Sequence, residues 1–195
     1  MKGLFLKKSF LKRPFLKRRL LKRQAVKVPL IGCIMLAFSL PLMALAETPT
    51  PLSLPSGPVI LTVTGNIANT NVGGEAQFDR AMLNALPQHE FETSTPWTEG
   101  VNHYRGPLMR DVLARVDTQS GTVHVAALNG YEAEIPATDF ASYDVILAMA
   151  KDGEAIPIRE YGPLWVLYPF DQDEALLSEK IRFRAVWQVM HIDVY

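Results

Sequence analysis

"TVHVAALNGYEAEIP", Thr122 to Pro136, holds two β-rich runs around Asn129-Gly130. Both residues of that pair accept positive φ, so the stretch predicts a tight hairpin with a two-residue turn. On the second run Tyr131, Ala133 and Ile135 face one way, and Glu132 and Glu134 the other. An antiparallel, half-solvated sheet is the expected setting for such a pattern.

Further strands are read on either side of this hairpin. "PVILTVTGNI" (58–67) is β-branched and ended by Gly65, and "HEFETST" (89–95) alternates. "YDVILAMA" (143–150), "GPLWVLYP" (162–169) and "AVWQVMHIDVY" (185–195) continue the series. Two short helices interrupt it. In "FDRAMLNALP" (78–87) Asp79 suits the N-cap, Phe78 and Leu83 take the hydrophobic-staple positions, and Pro87 follows the end. In "GPLMRDVLARV" (106–116) Pro107 fits the first turn, and Leu108, Met109, Val112, Leu113 and Val116 form one apolar stripe. "DQDEALLSEK" (171–180) reads as a loop running into a helix. Strands dominate without regular βαβ alternation, which predicts an α+β domain with a mixed, strand-dominated body and short inserted helices.

The charge is unevenly distributed. The 195-residue chain carries 20 Lys and Arg and 20 Asp and Glu. Residues 1–46 hold 11 of the basic residues and none of the acidic ones, so nine basic side chains face 20 acidic ones in the rest, a net charge of −11. That sign argues against nucleic acid and against an anionic membrane as partners.

Residues 1–46 read as a signal peptide. A basic region to Lys27 contains one five-residue unit repeated four times, "FLKKSFLKRPFLKRRLLKRQ" (5–24). The apolar run "VPLIGCIMLAFSLPLMALA" (28–46) follows and ends in the small-x-small pattern Ala44-Leu45-Ala46. A bilayer core of roughly 30 Å could just be spanned by such a run, but Pro41 and the cleavage pattern favour removal after Ala46. The expected location is therefore periplasmic or secreted, with no membrane association after cleavage. "KRPFLK" (12–17) and "RRLLKR" (18–23) resemble twin-arginine signals, so both export routes stay open. Cys33 is the only cysteine, and cleavage would leave a chain with no thiolate for a metal or a nucleophile. Residues 47–57, "ETPTPLSLPSG", read as a Pro/Ser/Thr-rich linker with little apolar surface, and residues 58–195 as one domain.

Few residues outside one segment suggest chemistry. The four histidines, His89, His103, His124 and His191, have no metal-ligand spacing. Asp171, Asp173 and Glu174 lack the Gly and distal Glu of a calcium loop and read as a solvated loop. Glu132 and Glu134 read as an exposed strand face, and Gly73-Gly74 starts no phosphate-binding pattern. The exception is "FETSTPWTEGVNHYRGPLMRDVL" (91–113). It places Trp97, His103, Tyr104 and Arg105 just before a helix start, where amides and a guanidinium could seat an anion.

The order of motifs resembles the oxidoreductase molybdopterin-binding domain family, the sulfite oxidase fold. "YRGPLMRDVL" (104–113) looks like that family's Gly-x-x-Leu-x-x-(Leu/Val)-Leu helix, and "LNGYEAEIPATDF" (128–140) like its Gly-Tyr hairpin. "ILAMAKDGEAIPIREYGPLWVLYP" (146–169) looks like its strand, turn and Gly-Pro segment, and "AVWQVMHIDV" (185–194) like its closing strand. The resemblance implies a pterin-chelated molybdenum and oxygen-atom transfer in members that are enzymes. It also implies a cysteine thiolate on the metal. Counting back from Gly106 by the family's spacing lands on Thr93, or on Ser94 after a one-residue slip, and Trp97 takes the place of a tryptophan that often follows. Trp165 stands where catalytic members commonly carry Arg, and Val186-Trp187-Gln188 replaces a Lys-Trp pair.

Thr93, Ser94, Trp97, His103, Tyr104 and Arg105 are thus the expected binding residues, lining one concavity, with no metal ligands among them. Two functions are expected. The first is a degenerate periplasmic binding or sensory-accessory module that recognises a small anion or a partner protein. The second is an active molybdopterin oxidoreductase.

Overall fold

The computed structural model describes residues 50–118 and 121–195. The basic repeat, the apolar run, Cys33 and Ala44-Leu45-Ala46 lie outside the described residues. Among the described residues no helix is long and apolar enough to cross a membrane.

The first and last strands of the domain are neighbours. β1 (Val59–Gly65) runs parallel to β11 (Val189–Val194), with Thr62 opposite His191 and Val63 opposite Ile192. β2 (Ala76–Asp79) pairs with the outer side of β1. β5 (Thr122–Ala127) and β6 (Glu132–Pro136) extend the sheet beyond β11, giving the order β2-β1-β11-β5-β6. Alternation sorts the side chains: Leu61, Val63, Val123, Val125, Ile192 and Val194 are buried, and the residues between them are exposed or half-buried.

A second sheet has the order β3-β4-β8-β9, from β3 (Gln88–Thr95), β4 (Thr98–Pro107), β8 (Ala150–Lys151) and β9 (Glu154–Ala155). β7 (Ile146–Ala148) and β10 (Trp165–Leu167) form an antiparallel pair buried at every position. β4 approaches β7 so closely that a Cβ on Gly106 would overlap the Leu147 carbonyl, which only glycine tolerates. Four short helices sit between strands: α1 (Arg80–Asn84), α2 (Met109–Arg115), α3 (Ala137–Ser142) and α4 (Glu179–Arg184). The architecture is the strand-dominated α+β type expected.

Three local expectations change. The Asn129-Gly130 hairpin forms, but its turn is longer than two residues. Gly130 N donates to Ala127 O, Ala127 N donates to Tyr131 O, and only Gly130 has positive φ (80°). A turn over Leu128 and Asn129 followed by a left-handed glycine is the three-residue alternative, and the Asn129 side chain supports it by accepting from Tyr131 N. Pro107 ends β4 rather than starting α2, because the residues before the helix are claimed by pairing with β3. Residues 50–57, expected to be a linker, lie along the domain without regular structure. Leu52 joins the core, and Thr50, Pro51 and Ser53 offer carbonyls to Arg115, Asn69 and Asn71. Side chains of the body supply the contacts that the segment's own apolar surface cannot.

Asp79 secures the end of this strap. Its carboxylate caps α1 by accepting from Met82 N at 2.8 Å and also accepts from Ser56 N and Gly57 N at 2.7 and 2.8 Å. These hydrogen bonds, with that from Met82 the largest influence, hold its pKa down at about 2. A lowered folded-state pKa stabilises the fold above the ordinary carboxylate range, and the effect is lost as pH falls towards 2. Asp79→Asn is expected to lower Tm by several degrees at pH 7, with the gap to the parent closing between pH 4 and pH 2. Thermal unfolding followed across that range checks this, and a gap independent of pH would contradict it.

Candidate functional site

The β3–β4 ribbon carries all six expected site residues, and its two faces divide them. Phe91, Thr93 and Thr95 point inward from β3, and Tyr104 points inward from β4. Glu90, opposite Arg105 in the register, and Glu92, opposite His103, lie on the outer face. There Glu90 forms an ion pair with Arg105, at 3.2 Å to Nε, and also lies 3.3 Å from His103 Nε2. The single concavity expected from the sequence does not form. His103 and Arg105 stand back to back with Thr93 and Tyr104, because neighbours on a strand alternate.

The anion seat expected at the helix start is also missing its parts. Met109 N donates to Val145 O, Asp111 places a carboxylate in the first turn of α2, and Arg105 is held by Glu90.

On the inner face Thr93 is fully enclosed. Its hydroxyl donates to Ser94 O at 3.0 Å and accepts from Asp171 N at 3.1 Å. The Asp171 carboxylate returns to the same strand, accepting from Ser94 N and Ser94 Oγ, both at 2.6 Å. Asp171 is therefore not part of a purely solvated loop. It clamps the segment after β10 to the end of β3.

Beyond the clamp the chain turns at Pro96 and Trp97. Thr95 Oγ1 accepts from Trp97 N and Thr98 N, and Tyr161 OH donates to Trp97 O at 2.6 Å. The indole of Trp97 meets Trp165, Phe170 and Trp187 edge-on, with centroids 5.8, 5.9 and 5.2 Å away. Trp165 is wholly buried at the centre. Tyr161 stacks on it at 4.7 Å and Tyr104 meets it edge-on at 5.8 Å. Burial pushes the Tyr104 phenol above its ordinary pKa, so it remains a neutral hydroxyl, 3.2 Å from Thr98 Oγ1. Trp187 comes alongside because Val166 N donates to Val186 O and Val189 N to Leu164 O, which pairs the closing segment with β10.

The outer rim of this cluster forms a groove of about 350 Å³, walled by Trp97, Trp187, Tyr131 and Phe183, with Glu179 and Arg182 at its edge. A larger depression of about 530 Å³ at Thr50, Leu86 and Arg115 shares none of these residues. Of the six expected residues only Trp97 lines this groove, and sequence reasoning missed Tyr131 and Phe183 in its walls and Tyr161 in the cluster behind it. They come from three distant segments with no common motif.

The family described as the oxidoreductase molybdopterin binding domain matches residues 63–170, more than half of the sequence. The chain belongs to that family. No curated protein gives a significant match. Among solved structures, the sulfane dehydrogenase SoxCD from Paracoccus pantotrophus is similar, with a TM-score of 0.51 and 17% identity. The match covers 69% of this chain and 37% of that one, so this chain spans little more than a third of the length of that protein. The likeness supports the sulfite-oxidase-like α+β fold.

The family resemblance implies a soft thiolate ligand on the metal. The position assigned to it holds the Thr93 hydroxyl, enclosed and already both donating and accepting. Among the described residues no group of three His, Cys, Asp or Glu could hold a metal ion. Trp165, at the expected arginine position, is buried against aromatic rings, and its Nε1–H has no hydrogen-bond partner among the described residues. These residues do not fit a thiolate-ligated metal with a polyanionic pterin.

The aromatic centre should carry much of the stability on this side of the domain. Trp165→Ala is expected to cost roughly 3–5 kcal/mol, the range for emptying a large buried site. Equilibrium denaturation measures it, and a loss below about 1 kcal/mol would show that the cluster is not tightly packed.

Proposed function

We propose that this protein is an exported, non-catalytic member of the molybdopterin binding domain family, a binding or sensory-accessory module acting in the periplasm. Its recognition surface is the aromatic groove beside Trp97, and its partner is a small ligand or another protein. The observation that carries this reading is the state of Thr93. A hydroxyl in the ligand's place, out of solvent and engaged with Ser94 O and Asp171 N, offers nothing to a metal. An alcohol also deprotonates far less readily than a thiol, so it recruits a cation poorly.

Export is supported by the sequence alone, through the basic region, the apolar run and Ala44-Leu45-Ala46. N-terminal sequencing of protein from the periplasm is expected to begin at Glu47. Membrane-bound material retaining Cys33 would contradict this.

Family membership favours the second reading, oxygen-atom transfer on a molybdopterin. Elemental analysis and pterin fluorescence separate the two, on protein expressed with its own signal in a molybdopterin-competent host. The expected result is no stoichiometric molybdenum. About one molybdenum per chain surviving gel filtration would overturn the binding-module reading and establish the enzyme. A Thr93→Cys variant that gains the metal would mark the site as degenerate.

A further inference from the structure

The groove beside Trp97 has a composition that selects among ligands. Two of its walls are unusually exposed for large aromatics: Phe183 at 58% and Tyr131 at 41%. Tyr131 presents its ring rather than its hydroxyl, because that hydroxyl donates to Phe183 O at 2.8 Å. The bond also ties the β5–β6 hairpin to α4 and fixes the two walls relative to each other. Trp97 and Trp187, half-buried and edge-to-face at 5.2 Å, form the floor.

Charge then decides what such a surface attracts. Arg182 Nε and Nη2 both donate to Leu177 O, at 3.0 and 2.8 Å, so two of its donors are committed to its own chain while its positive charge remains beside the groove. Glu179 has no ion-pair partner among the described residues and lies at the groove's edge. A free carboxylate beside several π faces, on a domain with nine basic and 20 acidic side chains after residue 46, complements a positive ligand. A carboxylate or phosphate would meet repulsion from Glu179 and from the domain's net negative field, offset only locally by Arg182, two of whose donors are already taken by Leu177 O. The volume, about 350 Å³, suits a small molecule.

We propose that this groove binds a small alkylated ammonium ion, with the methylated nitrogen over the aromatic rings and Glu179 as counter-charge. The proposal rests on the binding-module reading and names its ligand class.

The test is titration of the full-length exported protein with choline chloride, against sodium chloride at equal ionic strength. Tryptophan fluorescence is the readout, since Trp97 and Trp187 line the groove. The uncharged isostere 3,3-dimethylbutan-1-ol is titrated in parallel. Choline is expected to give a saturable change, with the isostere at least about tenfold weaker because it lacks the charge. Glu179→Gln, an exposed change, is expected to weaken choline about fivefold, and Phe183→Ala to weaken it by a similar factor. Equal binding of choline and isostere would overturn the cation proposal and leave an apolar groove. The absence of any saturable response up to roughly 10 mM choline in the folded protein would overturn it too. Neither result touches the metal content, so failure here and failure of the binding-module reading are distinguishable.

Discussion

Trp165 is the side chain on which this half of the molecule turns. It lies fully enclosed on β10, and aromatic rings from four different segments meet it: Tyr161 stacked on it, and Trp97, Tyr104 and Trp187 edge-to-face. Edge-to-face contacts of this kind fix angles as well as distances, because the ring quadrupoles favour tilted pairs. The β3–β4 turn, the inner face of β4, the segment before β10 and the segment before β11 are therefore placed relative to one another by a single indole. The close approach at Gly106 makes this geometry possible by letting β4 lie against β7, which is paired with β10.

The changes from the family pattern form one set. Trp165, where the family resemblance implies a cation, is a bulky apolar ring and needs apolar neighbours, which Tyr161 and Trp187 supply. A hydroxyl at position 93 needs hydrogen-bond partners once enclosed, since an unpaired buried polar group is costly. Ser94 O and Asp171 N provide them, and the Asp171 carboxylate closes the exchange by holding Ser94. Trp165 Nε1, without a hydrogen-bond partner among the described residues, is a residual cost of surrounding the indole with carbon. Thr93 and Trp165 are thus both enclosed and packed, and the aromatic surface that remains open lies at the rim, beside Trp97 and Trp187.

Most of the fold was legible because it rests on short-range rules. Alternation marked β3, the β5–β6 hairpin and β11, and Asp79 announced α1 through its side-chain oxygen. The hairpin's turn type was not legible, since Asn-Gly serves two turns and the choice depends on how Ala127 pairs with Tyr131. The site was misread for a related reason. His103, Tyr104 and Arg105 look like a cluster when written as a line, but a strand sends its middle residue to the opposite side. Treating that segment as the approach to a helix hid the period of two. Asp171 fits no local motif, and the partner that gives it a role, Ser94, is 77 residues away. No local pattern connects Tyr131 with Phe183, which meet only through a hydrogen bond across the fold.

The groove also depends on a polar contact buried on its far side. Asp139 on α3 accepts from Tyr168 OH at 2.8 Å and from Arg184 Nη1 at 2.7 Å through the same oxygen, Oδ2. Burial, with the Asp139 charge adding to it, pushes the Tyr168 phenol far above its ordinary range, so that it stays a donor. An ion pair this enclosed gains little net stability, because desolvation offsets most of the attraction. What it does supply is position. Arg184 is the last residue of α4, and Glu179, Arg182 and Phe183 on the same short helix form the groove's outer edge. With only six residues, α4 has too few internal hydrogen bonds to hold its own orientation. Asp139 anchors its end from within the domain and Tyr131 holds it from the hairpin, so the groove's outer edge is fixed at both of its neighbours.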